Sequence, residues 1–342
     1  MGFNPVYRWW VILFLPACVM LSACSDEAPA PLNIGAMVQP LPDSGVFRLD
    51  DHHTWGPQVS KGQDGRYYLV YSRWPKNTFW WRASEIALAV SERAEGPYSH
   101  LSVLLAGRGP GHWDEAVAHN PKIKLFNGRY YLYYVSGLAK DDLSHYRVTQ
   151  QIGVAVSDSI TGPYQRLDEP ILGPSPPLYN LAVNPGVSQM PDGRYLMIMK
   201  GEIRPVPAGV PKPQRIQGMA KASTPVGPFE MQPEPAIRNI DTEDASLWYD
   251  RRRNKYFAIF HAHSFVGLIE SSDGFNWQEA EHYQIVAGNR LLRADGSMLQ
   301  MTDRPLQRPN IFVEGGEPRL LTLAVPDPSG WHVVIVPLAE KK

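Results

Sequence analysis

Only two cysteines occur in 342 residues, and one of them, Cys18, lies inside an N-terminal apolar run. A chain that loses that run keeps Cys24 alone, so no intrachain disulfide supports the fold and a large core must do so. Charge of neither sign is in excess: 33 Lys and Arg stand against 34 Asp and Glu, for a formal net charge of -1 at pH 7. The clustered basic surface that nucleic acid requires is therefore not expected, and Arg251-Arg252-Arg253 reads as a solvated hairpin tip. No stretch has the period of a long amphipathic helix, and no HExxH or comparable spacing marks a transition-metal site. The apolar run itself, WWVILFLPACVML, is too short for a dependable membrane span.

That run does fit a secretion signal, with Arg8 ahead of it and Leu21-Ser22-Ala23-Cys24 at its end. The last four residues resemble the lipobox of bacterial lipoproteins, in which the cysteine receives lipid after cleavage. The resemblance implies a lipoprotein signal peptide over residues 1–23 and lipidation of Cys24. It also implies a location in the cell envelope of a Gram-negative bacterium, at the outer membrane or its periplasmic face. An ordinary signal, or an anchor that stays uncleaved, is the other reading. Residues 25–42 are rich in Ala, Pro and polar groups, so residues 24–44 read as a flexible tether.

From about residue 45 to the end the chain repeats itself. Gly56-Pro57-Gln58-Val59 precedes DGRYYLVYS, Asn120-Pro121-Lys122-Ile123 precedes NGRYYLYYV, and Asn184-Pro185-Gly186-Val187 precedes DGRYLMIMK. Asp244-Ala245-Ser246-Leu247 then precedes RNKYFAIFH, and Arg308-Pro309-Asn310-Ile311 precedes GEPRLLTLA. The first positions are separated by 64, 64, 60 and 64 residues. Each copy alternates like a strand, with Tyr67, Leu69 and Tyr71 opposing Tyr68, Val70 and Ser72, and Asp64-Gly65, Asn127-Gly128 and Asp192-Gly193 are hairpin turn dipeptides. A third strand follows in IALAVS, IGVAVS, GMAKAS and GLIESS, and the rest of each step has room for a fourth. A unit of four short antiparallel strands that cannot bury both faces alone is a propeller blade, so the expected fold is all-β: a five-bladed β-propeller over residues 45–342.

In such a wheel the innermost strands face the axis, and Gly56, Asn120, Asn184, Asp244 and Arg308 should be neighbours in a ring. Polar groups in a narrow funnel are costly unless they serve each other or a ligand; alternatively, Asn-Pro is simply a good turn before a strand. Three acidic clusters lead into the ring: Asp50-Asp51-His52-His53 with Trp55, His112-Trp113-Asp114-Glu115 with His119, and Asp241 with Glu243-Asp244. Carboxylates delivered by several blades to one mouth are the material for general acid and base work on a glycosidic bond, although any one of them could be a solvated turn. His52, His53, His112, His119, His261 and His263 are candidates for a structural ion, for hydrogen bonds to substrate, or for ordinary packing; no catalytic metal or cofactor is expected. Arg73, Trp74, Phe79, Trp80, Trp81 and Arg82 join two strands near the mouth. They could stack on a sugar and bind an acidic group, or pack the loop against blade two.

With Trp55-Gly56, Tyr71-Ser72-Arg73-Trp74-Pro75, Trp113-Asp114, His119-Asn120-Pro121, Asn184-Pro185, Glu243-Asp244 and Ser272-Asp273-Gly274 with Trp277, nearly the whole mature chain resembles the five-bladed propeller glycoside hydrolases. That superfamily holds the family 43 arabinanases and xylosidases, the family 32 fructosidases and the family 117 anhydrogalactosidases, and the likeness is strongest to family-43-like proteins. It implies an exo-acting hydrolase of oligosaccharides, acidic or sulfated ones among them. Such enzymes usually place an aspartate where Gly56 and Asn120 stand here. The catalytic carboxylates are then expected at Asp51 (base or nucleophile) and Glu243 (general acid), with Asp114 and Asp244 orienting them and Glu202 as the reserve acid. His53, Trp55, Arg73, Trp74, Trp81, His119, Asn120, Asn184, Glu202, His261 and Arg308 are the expected substrate contacts. A carbohydrate-binding lipoprotein without catalysis is the competing reading, and a lyase using Tyr146 or His145 is a third.

Overall fold

The computed structural model describes residues 1–3, 29–203 and 214–339. Most of the expected signal peptide, and Cys24 with it, lies outside the described residues. The chain divides into residues 1–30 and a compact unit from Pro31 to Lys342, which contains every described helix and strand. Among the described residues no helix is long and apolar enough to cross a membrane.

The ordered domain begins earlier than the sequence suggests. Helix α1 (Ile34–Met37) is capped by Asn33, whose side chain accepts from Ala36 N. Leu32, Ile34, Met37 and Leu41 are all buried in the cluster between the fourth and fifth blades. The tether expected over residues 24–44 therefore does not extend past residue 30. Its apolar residues, spaced among Pro and Gly, were available to be buried.

After strand β1 (Val46–Phe47), four blades follow in chain order, each a four-stranded antiparallel sheet. Blade one is β2 (His52–Lys61), β3 (Tyr67–Pro75), β4 (Glu85–Ser91) and β5 (Ser99–Leu105). Blade two is β6 (His119–Phe126), β7 (Arg129–Ser136), β8 (Gln151–Ser157) and β9 (Gln165–Arg166). Blade three is β10 (Tyr179–Gln189), β11 (Tyr195–Glu202), β12 (Arg215–Ala222) and β13 (Glu230–Met231). Blade four is β14 (Thr242–Asp250), β15 (Lys255–Ala262), β16 (Phe265–Ser271) and β17 (Gln278–Ala287). The fifth blade has only three strands of its own, β18 (Gln307–Glu314), β19 (Glu317–Asp327) and β20 (Gly330–Pro337). Its outer strand is β1, paired through Val46 with Val334 and Phe47 with Val333. The two ends of the domain thus close the wheel in one sheet and leave no open edge between first and last blade.

The strand alternation read from sequence has a plain structural meaning: both faces of each blade are buried, against different neighbours. Tyr68 and Val70 pack with Ile123, Leu132 and Tyr134 of blade two, whereas Leu69 and Tyr71 pack with Leu320, Val333 and Ile335 of blade five. Equivalent clusters join blades two and three, three and four, and four and five. Apolar area buried between sheets is the main support of the domain, at about 25 cal/mol per Å² removed from water.

Candidate active site

Each inner strand breaks register at its repeat motif. Pairing with the second strand skips Gly56-Pro57, Asn120-Pro121, Asn184-Pro185, Asp244-Ala245 and Arg308-Pro309. The first residue of every skipped pair is left-handed, with φ of 63° at Gly56, 54° at Asn120, 59° at Asn184, 63° at Asp244 and 56° at Arg308. Glycine adopts this conformation freely and Asn or Asp tolerate it, while the proline that follows in all motifs but Asp244-Ala245 needs no partner for an N–H it does not have. The bulge turns five side-chain positions towards the axis, where they bond in sequence. Asn120 Nδ2 donates to Asn184 Oδ1 at 2.5 Å, Asn184 Nδ2 donates to Asp244 Oδ1 at 2.5 Å, and Arg308 Nη1 donates to the same oxygen at 3.2 Å. Trp55 Nε1 donates to Asn120 Oδ1 at 2.9 Å. All four polar ring side chains are buried. Burial by itself would raise the Asp244 carboxyl, but Arg308, His261 and Lys200 hold it far below the usual carboxylate range.

Above this floor lie two groups of side chains. On one side Glu243 is held by Lys200 Nζ at 2.5 Å and by the Arg215 guanidinium. Arg215 also donates through Nε to Asp241 Oδ1 at 2.8 Å, and His263 Nε2 lies 2.8 Å from Asp241 Oδ2. Glu202, the cross-strand partner of Arg215, accepts from Arg147 at 2.9 Å and from Asn180 at 2.8 Å. Burial draws the Lys200 ammonium down to about 8. On the other side is an aromatic wall. Trp55 meets Trp331 edge-on at 4.3 Å and Trp74 at 6.4 Å, Trp74 lies against His53 and His119, and Trp80 stacks on His119 at 4.7 Å. His119 Nδ1 is 2.7 Å from Ser84 Oγ, and His53 Nδ1 accepts from Trp331 N at 3.1 Å. His261 reaches the ring, with Nδ1 3.4 Å from Asp244 Oδ2. Among the described residues no three His, Cys, Asp or Glu side chains are placed to share one metal ion.

The structure brings Trp55, Trp74, His53, His119, Asn120, Asn184, Lys200, Glu202, Glu243, Asp244, His261 and Arg308 around one end of the axis, but places four expected residues elsewhere. Asp114 is fully buried in blade two, with Arg108 Nε at 2.5 Å, Arg166 Nη1 at 2.7 Å and Tyr134 Oη at 2.7 Å. Burial would raise its carboxyl, but Arg166, Tyr134 and Arg108 hold it below the usual range, so it is a structural anion and not an orienting catalytic group. Arg73 points along its blade to Glu85 and to His100 on the outer strand, away from the mouth. Trp81 is buried with Val117 and Tyr146 under the loop between blades one and two, with Arg82 over its ring at 4.5 Å. Asp51 is exposed at the rim and pairs with His52 at 2.7 Å. Two arginines claimed Asp114, a carboxylate claimed Arg73 and apolar neighbours claimed Trp81, and the motifs record none of these partners. Lys200 and Arg215, at the ends of strands in blade three, were missed by sequence reasoning. The last residue of DGRYLMIMK is the one signal that could have found Lys200, because it is a charge where the other repeats carry Ser, Val, His or Ala.

With this geometry in view, similarity to solved structures settles the architecture. A protein described as a glycoside hydrolase superposes with a TM-score of 0.67 at 13% identity, covering 90% of this chain and 93% of that one. A family 117 glycoside hydrolase from the marine bacterium Zobellia galactanivorans gives 0.62 at 17% identity, over 87% and 88% of the two chains. The chain has the fold of the five-bladed propeller glycoside hydrolases. Among curated proteins, an extracellular endo-α-(1→5)-L-arabinanase of Thermotoga petrophila is 45% identical over 84 residues, which is 25% of this chain and 17% of that protein. The alignment thus spans less than a fifth of that relative's length. No protein-family profile matches the chain.

Two outcomes follow from these environments. Asp114→Ala strands two guanidinium groups and a tyrosine hydroxyl inside blade two, so urea denaturation should show a loss of about 3–5 kcal/mol. Second, burial holds His119 at about 3 and His261 at about 4, against 6.5 for an exposed histidine. Both are neutral in the folded protein, so the unfolded chain binds more protons below about pH 6.5 and stability falls as pH drops, by up to about 1.4 kcal/mol per pH unit for each group. Denaturation midpoints between pH 7 and pH 5 should decline, and the slope should be shallower in His119→Gln.

Proposed function

We propose that the protein is a glycoside hydrolase that receives the end of an oligosaccharide in the axial mouth and releases a terminal sugar. The observation that carries this reading is the position of Glu243. A bulge at the start of β14 sends its neighbour Asp244 into the ring and leaves Glu243 at the mouth, facing Lys200 and Arg215 and near Glu202. A floor made of mutually bonded polar groups accepts one ring of hydroxyls and blocks onward passage, which supports exo-action over cleavage inside a chain. Arg147, Lys200 and Arg215 at the same mouth support acidic or sulfated sugars, and Trp55, Trp74 and Trp80 supply faces for stacking.

Hydrolysis needs one group to protonate the departing oxygen and another to activate water or attack the anomeric carbon. Glu243 faces two cations, a setting that suits the second role better than the acid role expected from sequence. Glu202, which faces one arginine at 2.9 Å where Glu243 faces two cations, takes the proton-donor role in this scheme. One feature favours binding without catalysis instead: Glu243, Glu202, Asp241 and Asp244 all already have cationic partners, and Gly56 and Asn120 carry no carboxylate.

Glu243→Gln keeps the shape of the side chain and removes its charge. Monosaccharide release from a panel of neutral and acidic oligosaccharides should fall at least about 100-fold in this variant, with calorimetric binding retained. Undiminished release would remove Glu243 from the reaction. Binding without release by the unsubstituted protein at every pH would establish the non-catalytic reading.

The sequence Leu21-Ser22-Ala23-Cys24 supports a lipid anchor that holds the domain at the envelope of a Gram-negative bacterium, where glycan fragments pass. Cells fed a labelled fatty acid should label the protein, and Cys24→Ala should abolish the label and release the domain from membranes. Persistent labelling of that variant would disprove the assignment.

A further inference from the structure

The polar ring is incomplete at one position, and that position faces an unsatisfied charge. Arg308 is 1% exposed; Nη1 bonds Asp244, but Nε and Nη2 have no hydrogen-bond partner. Four of the five ring residues carry a polar side chain, and the fifth is Gly56. A Cβ built at Gly56 would stand 3.4 Å from Arg308 Nε, 3.5 Å from Asn120 Oδ1 and 3.8 Å from Pro121 Cδ, all ordinary contact distances. A Cβ therefore fits at Gly56, next to the free edge of a buried guanidinium. The nearby acceptor, Asn120 Oδ1, is already engaged by Trp55 Nε1.

Further basic side chains lie close to the same part of the axis. Lys122, two residues beyond Asn120, is buried, and the half-buried Lys124 places its Nζ 3.5 Å from the carbonyl of Leu247. The one buried carboxylate here, Asp244, is divided between Arg308, Asn184 and His261. Burial, and then the Arg308 charge, pushes the Lys122 ammonium well below its ordinary value, while burial lowers Arg308 against the pull of Asp244. Both shifts report a positive potential in a poorly solvated interior, where the buried Arg308 guanidinium gains from a counter-charge.

We infer that a small inorganic anion of halide size binds on the propeller axis beside Gly56, accepting hydrogen bonds from Nε and Nη2 of Arg308. The anion occupies the position that a ring carboxylate at residue 56 would take. Asp244 has the same φ, 63°, as Gly56, so an aspartate at position 56 is conformationally admissible. Such a side chain would bring its own carboxylate to Arg308.

The test uses the full chain. In chloride or bromide, compared with gluconate at equal ionic strength, the thermal midpoint should rise by about 3 °C or more. Gly56→Asp should lose this response, and an undiminished response in that variant would place the halide elsewhere and overturn the inference. Anomalous diffraction from bromide-soaked crystals of the unsubstituted protein decides the matter independently of how the variant folds. A bromide peak within hydrogen-bond distance of Arg308 Nε supports the site, and water alone at that position overturns it.

Discussion

Everything at the axis depends on a two-residue bulge at the start of each inner strand. In a regular strand the residue at the motif would point into a packed interface between blades. A left-handed residue there breaks the ladder and turns its side chain to the centre, at a conformational cost of about 1–2 kcal/mol for a residue that is not glycine. That cost is offset because the side chains so presented bond one another from Trp55 through Asn120, Asn184 and Asp244 to Arg308. The same device separates Glu243 from Asp244. Adjacent carboxylates thereby end in different environments, one in the buried floor and one at the mouth.

The second constraint is electrostatic. Carboxylates in a protein this close to neutrality find cations, and which cation each one finds decides what it can do. Asp114 is captured by Arg108 and Arg166 and becomes a rivet between the β5–β6 connection and β9 of blade two. Glu243 is captured at the axis, where Lys200 is itself destabilised by burial. A titratable group poised in a concave, partly dry site is the physical signature of a place for chemistry or tight polar recognition, whereas a saturated pair in a blade is a signature of packing.

The wheel is closed by non-local contacts. Strand β1 completes the last blade, and α1 fills the seam between blades four and five, so residues near the start of the domain are structurally part of its end. The ring is therefore rigid only when the whole domain has formed. A site assembled from five blades cannot be kept in a fragment of the chain.

The architecture was legible because a propeller writes its topology as a period: equal steps, turn dipeptides and strand alternation are local properties of the chain, and each blade obeys them separately. The ring positions were legible for the same reason, since Gly56, Asn120, Asn184, Asp244 and Arg308 open equivalent motifs. The partners of each charged side chain were not legible. Arg166 lies 52 residues from Asp114 and Lys200 lies 43 from Glu243, and neither separation bears any relation to the repeat. The ordered segment before β1 was equally hidden, because its composition resembles a linker and its burial comes from blades 200 or more residues later. Sequence alone determined the wheel and the five positions that meet at its axle. Only the tertiary structure decided which acids remain at the mouth, because charge pairing depends on distance in space and the chain records distance only along itself.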